Sequence, residues 1–150
     1  MKARKVKGLH PEMALAEAAS RIVEVRAGEL RAFAPRALQG DERALHDLRI
    51  AAKRLRYLLE VMAPALGDEA RRAAKRARDL QDVIGEIHDC DVMLPRVQEL
   101  LDERGDGEPR DPAYRGLAVL AAHLRSRRTR LFEDFTRAWE EHGGALTRRG

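Results

Sequence analysis

The chain has 150 residues, 44% of them hydrophobic, 36% charged and only 4% aromatic, with one cysteine and a formal net charge of +4. That is enough apolar material for one domain with a real core, which excludes a globally disordered chain. A single cysteine excludes an internal disulfide framework, and no apolar run approaches the roughly 18 residues a membrane span needs.

Residues 1–10, the start of "MKARKVKGLHPEM", are basic and lack the apolar centre of a signal peptide, so they read as a loose arm. Ala, Leu, Arg and Glu dominate over β-branched residues, which predicts helices rather than sheet in a soluble, cytoplasmic protein that does not touch membranes. Pro11 is placed to start a first helix that runs to about Ala37. "QGDE" (39–42) is a turn with Asp41 as N-cap, and a second helix runs from there to about Leu66. "LGDE" (66–69) repeats the punctuation: Gly67 stops one helix and Asp68 caps the next, which runs to about Leu101 with a bend expected at Gly85 or "HDCD". "RGDGEPRDP" (104–112) is the one long loop. A fourth helix follows from Pro112 to about His142, and residues 143–150 read as a frayed tail.

Each segment carries 3.6-residue periodicity. Leu15, Ile22, Val25 and Phe33 line the first helix, and Leu45, Leu48, Ala52, Leu55, Leu59 and Met62 line the second. Ala73, Ala77, Leu80, Val83, Ile84 and Ile87 line the third, and Leu117, Leu120, Leu124, Leu131 and Phe135 the fourth. Four long amphipathic helices with short links predict an all-α fold, an antiparallel four-helix bundle over residues 11–142.

The second helix, "LHDLRIAAKRLRYLLE" (45–60), departs from a plain amphipathic pattern. On a helical wheel His46, Arg49, Lys53 and Arg56 fall within an arc of roughly 80°, at spacings of three and four. Like charges stacked this way repel by a few tenths of a kcal/mol per pair, and only Glu60 shares their arc as a counter-charge. Ile50, Tyr57 and Val61 lie beyond the stripe on the side away from the core, so apolar residues flank it on both sides. That pattern predicts a basic groove against a second surface, most simply a second copy of the chain. The bland alternative is a solvated face with snorkelling stems. A polyanion clamp uses the same residues: Arg brings planar multi-donor contacts to phosphate, Lys a point charge and His a titratable donor.

Charges also point inward elsewhere. Arg128 falls in the middle of the apolar arc of the fourth helix, Arg26 in that of the first beside Glu29, and Arg72 and Arg76 at the edge of that of the third. A buried Arg needs a carboxylate or a cavity, so Arg128, Arg26 and Arg76 are either paired or turned toward an anion site. Asp91 lies on an apolar arc and requires a partner such as an Arg, His46 or Tyr57, whereas Cys90 reads as a small buried side chain. His46–Asp47 and His88–Asp89 invite a metal reading, but the two members of each pair diverge by about 100° on a helix and neither chelates alone. No metal or other cofactor is therefore expected, and no nucleophile set or Gly-rich phosphate loop stands out.

"LHDLRIAAKRLRYLLE" followed by "LQDVIGEIHDCDVML" resembles the CHAD family of all-helical domains. His46, Arg49, Lys53, Arg56 and Tyr57 match the first part of the family's motif, and Gly85, Asp89, Asp91 and Val92 the second. The likeness is strongest over about residues 43–95. It implies non-enzymatic binding of inorganic polyphosphate through a basic pocket, with His46, Arg49, Lys53 and Arg56 as phosphate contacts and Tyr57 as their buttress. The family's usual domain has two helical repeats facing each other across a basic pore. This chain has one, half of that architecture, so a homodimer is expected to complete the pocket. His88 stands where the family has Arg or Asn. Three rival readings remain: a metal-dependent phosphohydrolase acting on polyphosphate or nucleotides, a nucleic-acid-binding helical module, although few aromatics are available to stack bases, and a purely structural helical scaffold.

Overall fold

The computed structural model describes residues 2–105 and 111–148. Four helices follow one another: α1 (Leu15–Ala37), α2 (Glu42–Leu66), α3 (Asp68–Glu103) and α4 (Pro112–Thr147). Among the described residues there is no strand. Each helix packs against its chain neighbours, and a small contact between α1 and α4 closes the bundle.

The helix boundaries follow local chemistry. Asp41 caps α2 by accepting a hydrogen bond from the Ala44 amide at 2.8 Å, and that bond, with the Arg36 guanidinium beside it, holds the Asp41 carboxyl below the usual carboxylate range. Gly40 and Gly67 adopt φ of 84° and 81°, the left-handed region that glycine enters without steric cost. Gly67 alone links α2 to α3, so it caps both helices. Asp68, expected as a cap, instead begins α3 and pairs with Arg71. α3 runs unbroken through Gly85 and the HDCD segment. Most of the long 104–112 loop (106–110) lies outside the described residues, and beyond it Asp111 caps α4 through the Ala113 amide at 2.9 Å.

The main core joins all four helices. Leu30, Leu48, Leu55, Leu80, Ile84, Ile87 and Phe135 are its largest fully buried apolar side chains. Burial of each such side chain stabilises the fold by about 1.5–3 kcal/mol. At 36 residues each, α3 and α4 reach about 54 Å, against about 35 Å for α1 and α2 with 23 and 25 residues. A second cluster, of Cys90, Val97, Leu101, Ala121 and Leu124, is built by α3 and α4 alone.

Three expectations change at the ends of the chain. On α1 the buried face is Ala19, Ala27, Leu30, Ala34 and Ala37, while Leu15 is 61% exposed. Of the bulkier residues, Val23 and Phe33 pack partly buried against that core. The N-terminal arm is tied down: the Arg4 amide and the Arg26 guanidinium both donate to Glu29 Oε1, at 2.7 and 2.8 Å. The Arg26 guanidinium also reaches the Arg4 carbonyl at 3.1 Å, and Arg21 reaches that of Gly8 at 2.8 Å. Finally, α4 continues to Thr147 instead of fraying after His142. Leu146 is buried in the core, and a Cβ at Gly143 would stand 2.6 Å from the Trp139 ring, so glycine there serves packing and not termination.

Candidate functional site

The cations of α2 lie along its junction with α3. Three contacts fix that register. The His46 and His88 rings are 5.2 Å apart between centroids and tilted by 45°. One turn on, a Cβ at Gly85 would lie 3.4 Å from Arg49 Nε, so the Arg49 side chain rests on the bare backbone of α3. Further along, Glu60 meets Arg78 of α3 at 2.7 Å and Arg56 of its own helix at 3.5 Å. The ladder expected from the wheel is therefore one continuous edge with His46, Arg49, Lys53 and Arg56 in order.

The charges along that edge are unequal. Arg56 shares Glu60 with Arg78, and this carboxylate raises the Arg78 pKa. Arg49 and Lys53 have no carboxylate partner among the described residues, and Arg49 Nε is buried without a hydrogen bond. Tyr57 lies under the cations, with its ring 4.4 Å from the Arg56 guanidinium and 5.8 Å from Lys53 Nζ. Such cation–π contacts are worth about 0.5–1 kcal/mol at exposed sites and hold the heads in place.

At the His46 end a cleft of about 500 Å³ opens between α2 and α3, lined by Glu42, Arg43, His46, Asp47, His88, Asp91 and Val92. It is mixed in charge, not uniformly basic. Arg128 of α4 adjoins it by donating from Nε to Asp91, and this hydrogen bond raises the Arg128 pKa against the opposing effect of burial. Asp91, half-buried on its apolar arc, thus finds an arginine partner. The approach of His88 to His46 carries no signal in either helix alone, because it depends on the register between α2 and α3.

The other two candidate cations lie apart. Arg26 is spent on Glu29 and the N-terminal arm. Glu29 is only 1% exposed, and removing one member of so buried a pair costs about 3–5 kcal/mol. Arg76 meets Glu69 at 3.2 Å, and Glu69 lines an apolar groove of about 900 Å³ bordered by Val23, Ala27, Leu59, Ala73 and Leu146. Among the described residues, no group of three or more His, Cys, Asp or Glu side chains is disposed to hold a metal ion. No helix of the described residues is long and apolar enough to cross a membrane.

The family model described as CHAD domain matches residues 2–98, a span that contains α1, α2, the whole ladder and both histidines of the cleft. Neither the curated proteins nor the solved structures include a match. CHAD domains are associated with polyphosphate binding in general. With a helical bundle in place and the family motif laid along the α2–α3 edge, the chain belongs to the CHAD domain family.

Proposed function

We propose that this protein binds inorganic polyphosphate along the α2 edge and performs no chemistry on it. The observation that carries this reading is the pair of uncommitted cations, Arg49 and Lys53, in the family's own motif. The arginines in the first half of the facing helix are neutralised, since Arg71, Arg72, Arg76 and Arg78 each meet a carboxylate. A linear polyanion supplies what the ladder lacks: successive phosphates at close spacing, each able to accept several charge-assisted hydrogen bonds. Affinity then falls with salt through counterion release, as it does for nucleic acids.

A homodimer completes the site in this reading. Tyr57 and Val61 are 47% and 71% exposed beside the ladder, and a second copy packed there encloses the polyphosphate between two α2 edges. The buried single cysteine accords with a reducing compartment such as the cytoplasm.

The test is equilibrium binding of polyphosphate in competition with single-stranded DNA at equal charge and salt, with phosphate release followed in the presence of divalent metals. Preferential polyphosphate binding without release is expected. Preference for DNA, or metal-dependent release, replaces this reading with one of its rivals. Sedimentation of the same sample is expected to show a dimer, and Val61→Lys to yield a monomer of weaker affinity.

A further inference from the structure

The cleft at the head of the ladder has a charge that depends on its two imidazoles. Glu42, Asp47 and Asp91 oppose Arg43 and the adjoining Arg128, which leaves a formal −1 when both histidines are neutral and +1 when both are protonated. Arg49 follows next on α2, and Arg128 is the cation that α4 presents, already committed to Asp91. Imidazole is the side chain whose ordinary titration falls between pH 5 and 8. Rings 5.2 Å apart, each offering an N–H bond of about 2.8 Å, can converge on one phosphate group. Two imidazoliums this close repel each other unless an anion sits between them, so anion binding and proton uptake favour one another reciprocally.

We propose that His46 and His88 together form a protonation-dependent phosphate contact, which admits the end of a polyphosphate chain to this cleft when the imidazoles are charged. The proposal rests on the polyphosphate reading above and adds His88, contributed by α3, to the contacts of α2. It makes affinity a function of pH around neutrality, where the guanidinium and carboxylate charges stay constant.

Titration calorimetry with short inorganic polyphosphate between pH 5.5 and 8 tests it. Wild-type affinity is expected to rise at least about tenfold from the alkaline to the acidic end of that range. The double variant H46Q/H88Q is expected to bind with less than about twofold variation, and His88→Arg to keep tight binding at pH 8. Repeating the titrations of wild type and double variant near neutral pH in buffers of different ionisation heat reads proton uptake directly, and the difference between them excludes the ligand's terminal phosphates, which also titrate there. Uptake of a substantial fraction of a proton or more is expected. A flat wild-type profile, absence of proton uptake beyond that of the double variant, or a full slope retained in the double variant, which would assign it to another histidine or to the ligand's terminal phosphates, overturns the proposal. Absence of polyphosphate binding at every pH instead refutes the underlying functional reading.

Discussion

Two rows of cations occupy neighbouring helices and have opposite electrostatic fates. On the first half of α3, Arg71, Arg72, Arg76 and Arg78 meet Asp68, Glu69 and Glu60. The Glu69 carboxyl is held below its usual range, chiefly by the hydrogen bond from Arg72 and then by that from Arg76. On α2, Arg49 and Lys53 face no carboxylate among the described residues, and Arg49 lies in a trough that Gly85 leaves open. Local sequence decides the difference. The α3 row has acids three to seven residues away on its own helix or facing it from α2, whereas the ladder meets acids only at its two ends, in the His46 cleft and at Glu60, and not at Arg49 or Lys53. Counting positive residues therefore says little about where an anion binds; the uncommitted ones matter.

That contrast can be broken or sharpened by substitution. The largest effect is expected from removing the free cations: Arg49→Ala with Lys53→Ala is expected to weaken polyphosphate binding roughly 100-fold and to lower the salt slope by about two, in a binding titration at several salt concentrations. An intermediate effect is expected from Glu60→Gln, which releases Arg56 and Arg78 and makes the α3 row resemble the ladder. Affinity should rise about fivefold, and an unchanged or weaker value would show that Glu60 orients Arg56 rather than competing for it. The smallest effect is expected from Arg71→Gln with Arg72→Gln, which changes the formal charge as much as the first pair does yet should alter affinity by less than about twofold.

Much of this was legible beforehand, for identifiable reasons. The α2 face and the Asp41 cap follow from residue type and spacing within one helix, and the structure buries Leu45, Leu48, Ala52, Leu55 and Leu59 as expected, with Met62 only half-buried. Asp91 and Arg128 were each visible as charges on apolar arcs, but their pairing required two helices to be in register. The same holds for His46 and His88. On α1 size is an uneven guide: Phe33 packs against the core as its position on the apolar arc predicts, but Leu15 is exposed and the fully buried positions go largely to Ala19, Ala27, Ala34 and Ala37. At the C-terminus, "GG" suggested a break, but Gly143 gives the Trp139 ring its place. The arm is the clearest case of long-range control, since Glu29 fixes it from 25 residues away.

The unequal helix lengths have a consequence for dynamics. Past the cleft, beyond Val92 on α3 and before Leu131 on α4, the hairpin depends on a small cluster to which α1 and α2 contribute no residue. Such a spur opens in sub-global steps without disturbing the four-helix body, because few contacts couple the two. Its amides should therefore exchange with solvent at a lower free energy than those around Leu48, Leu55 and Ile84. Cys90 sits at the joint between the two units, so thiol labelling under native conditions would time those openings from within.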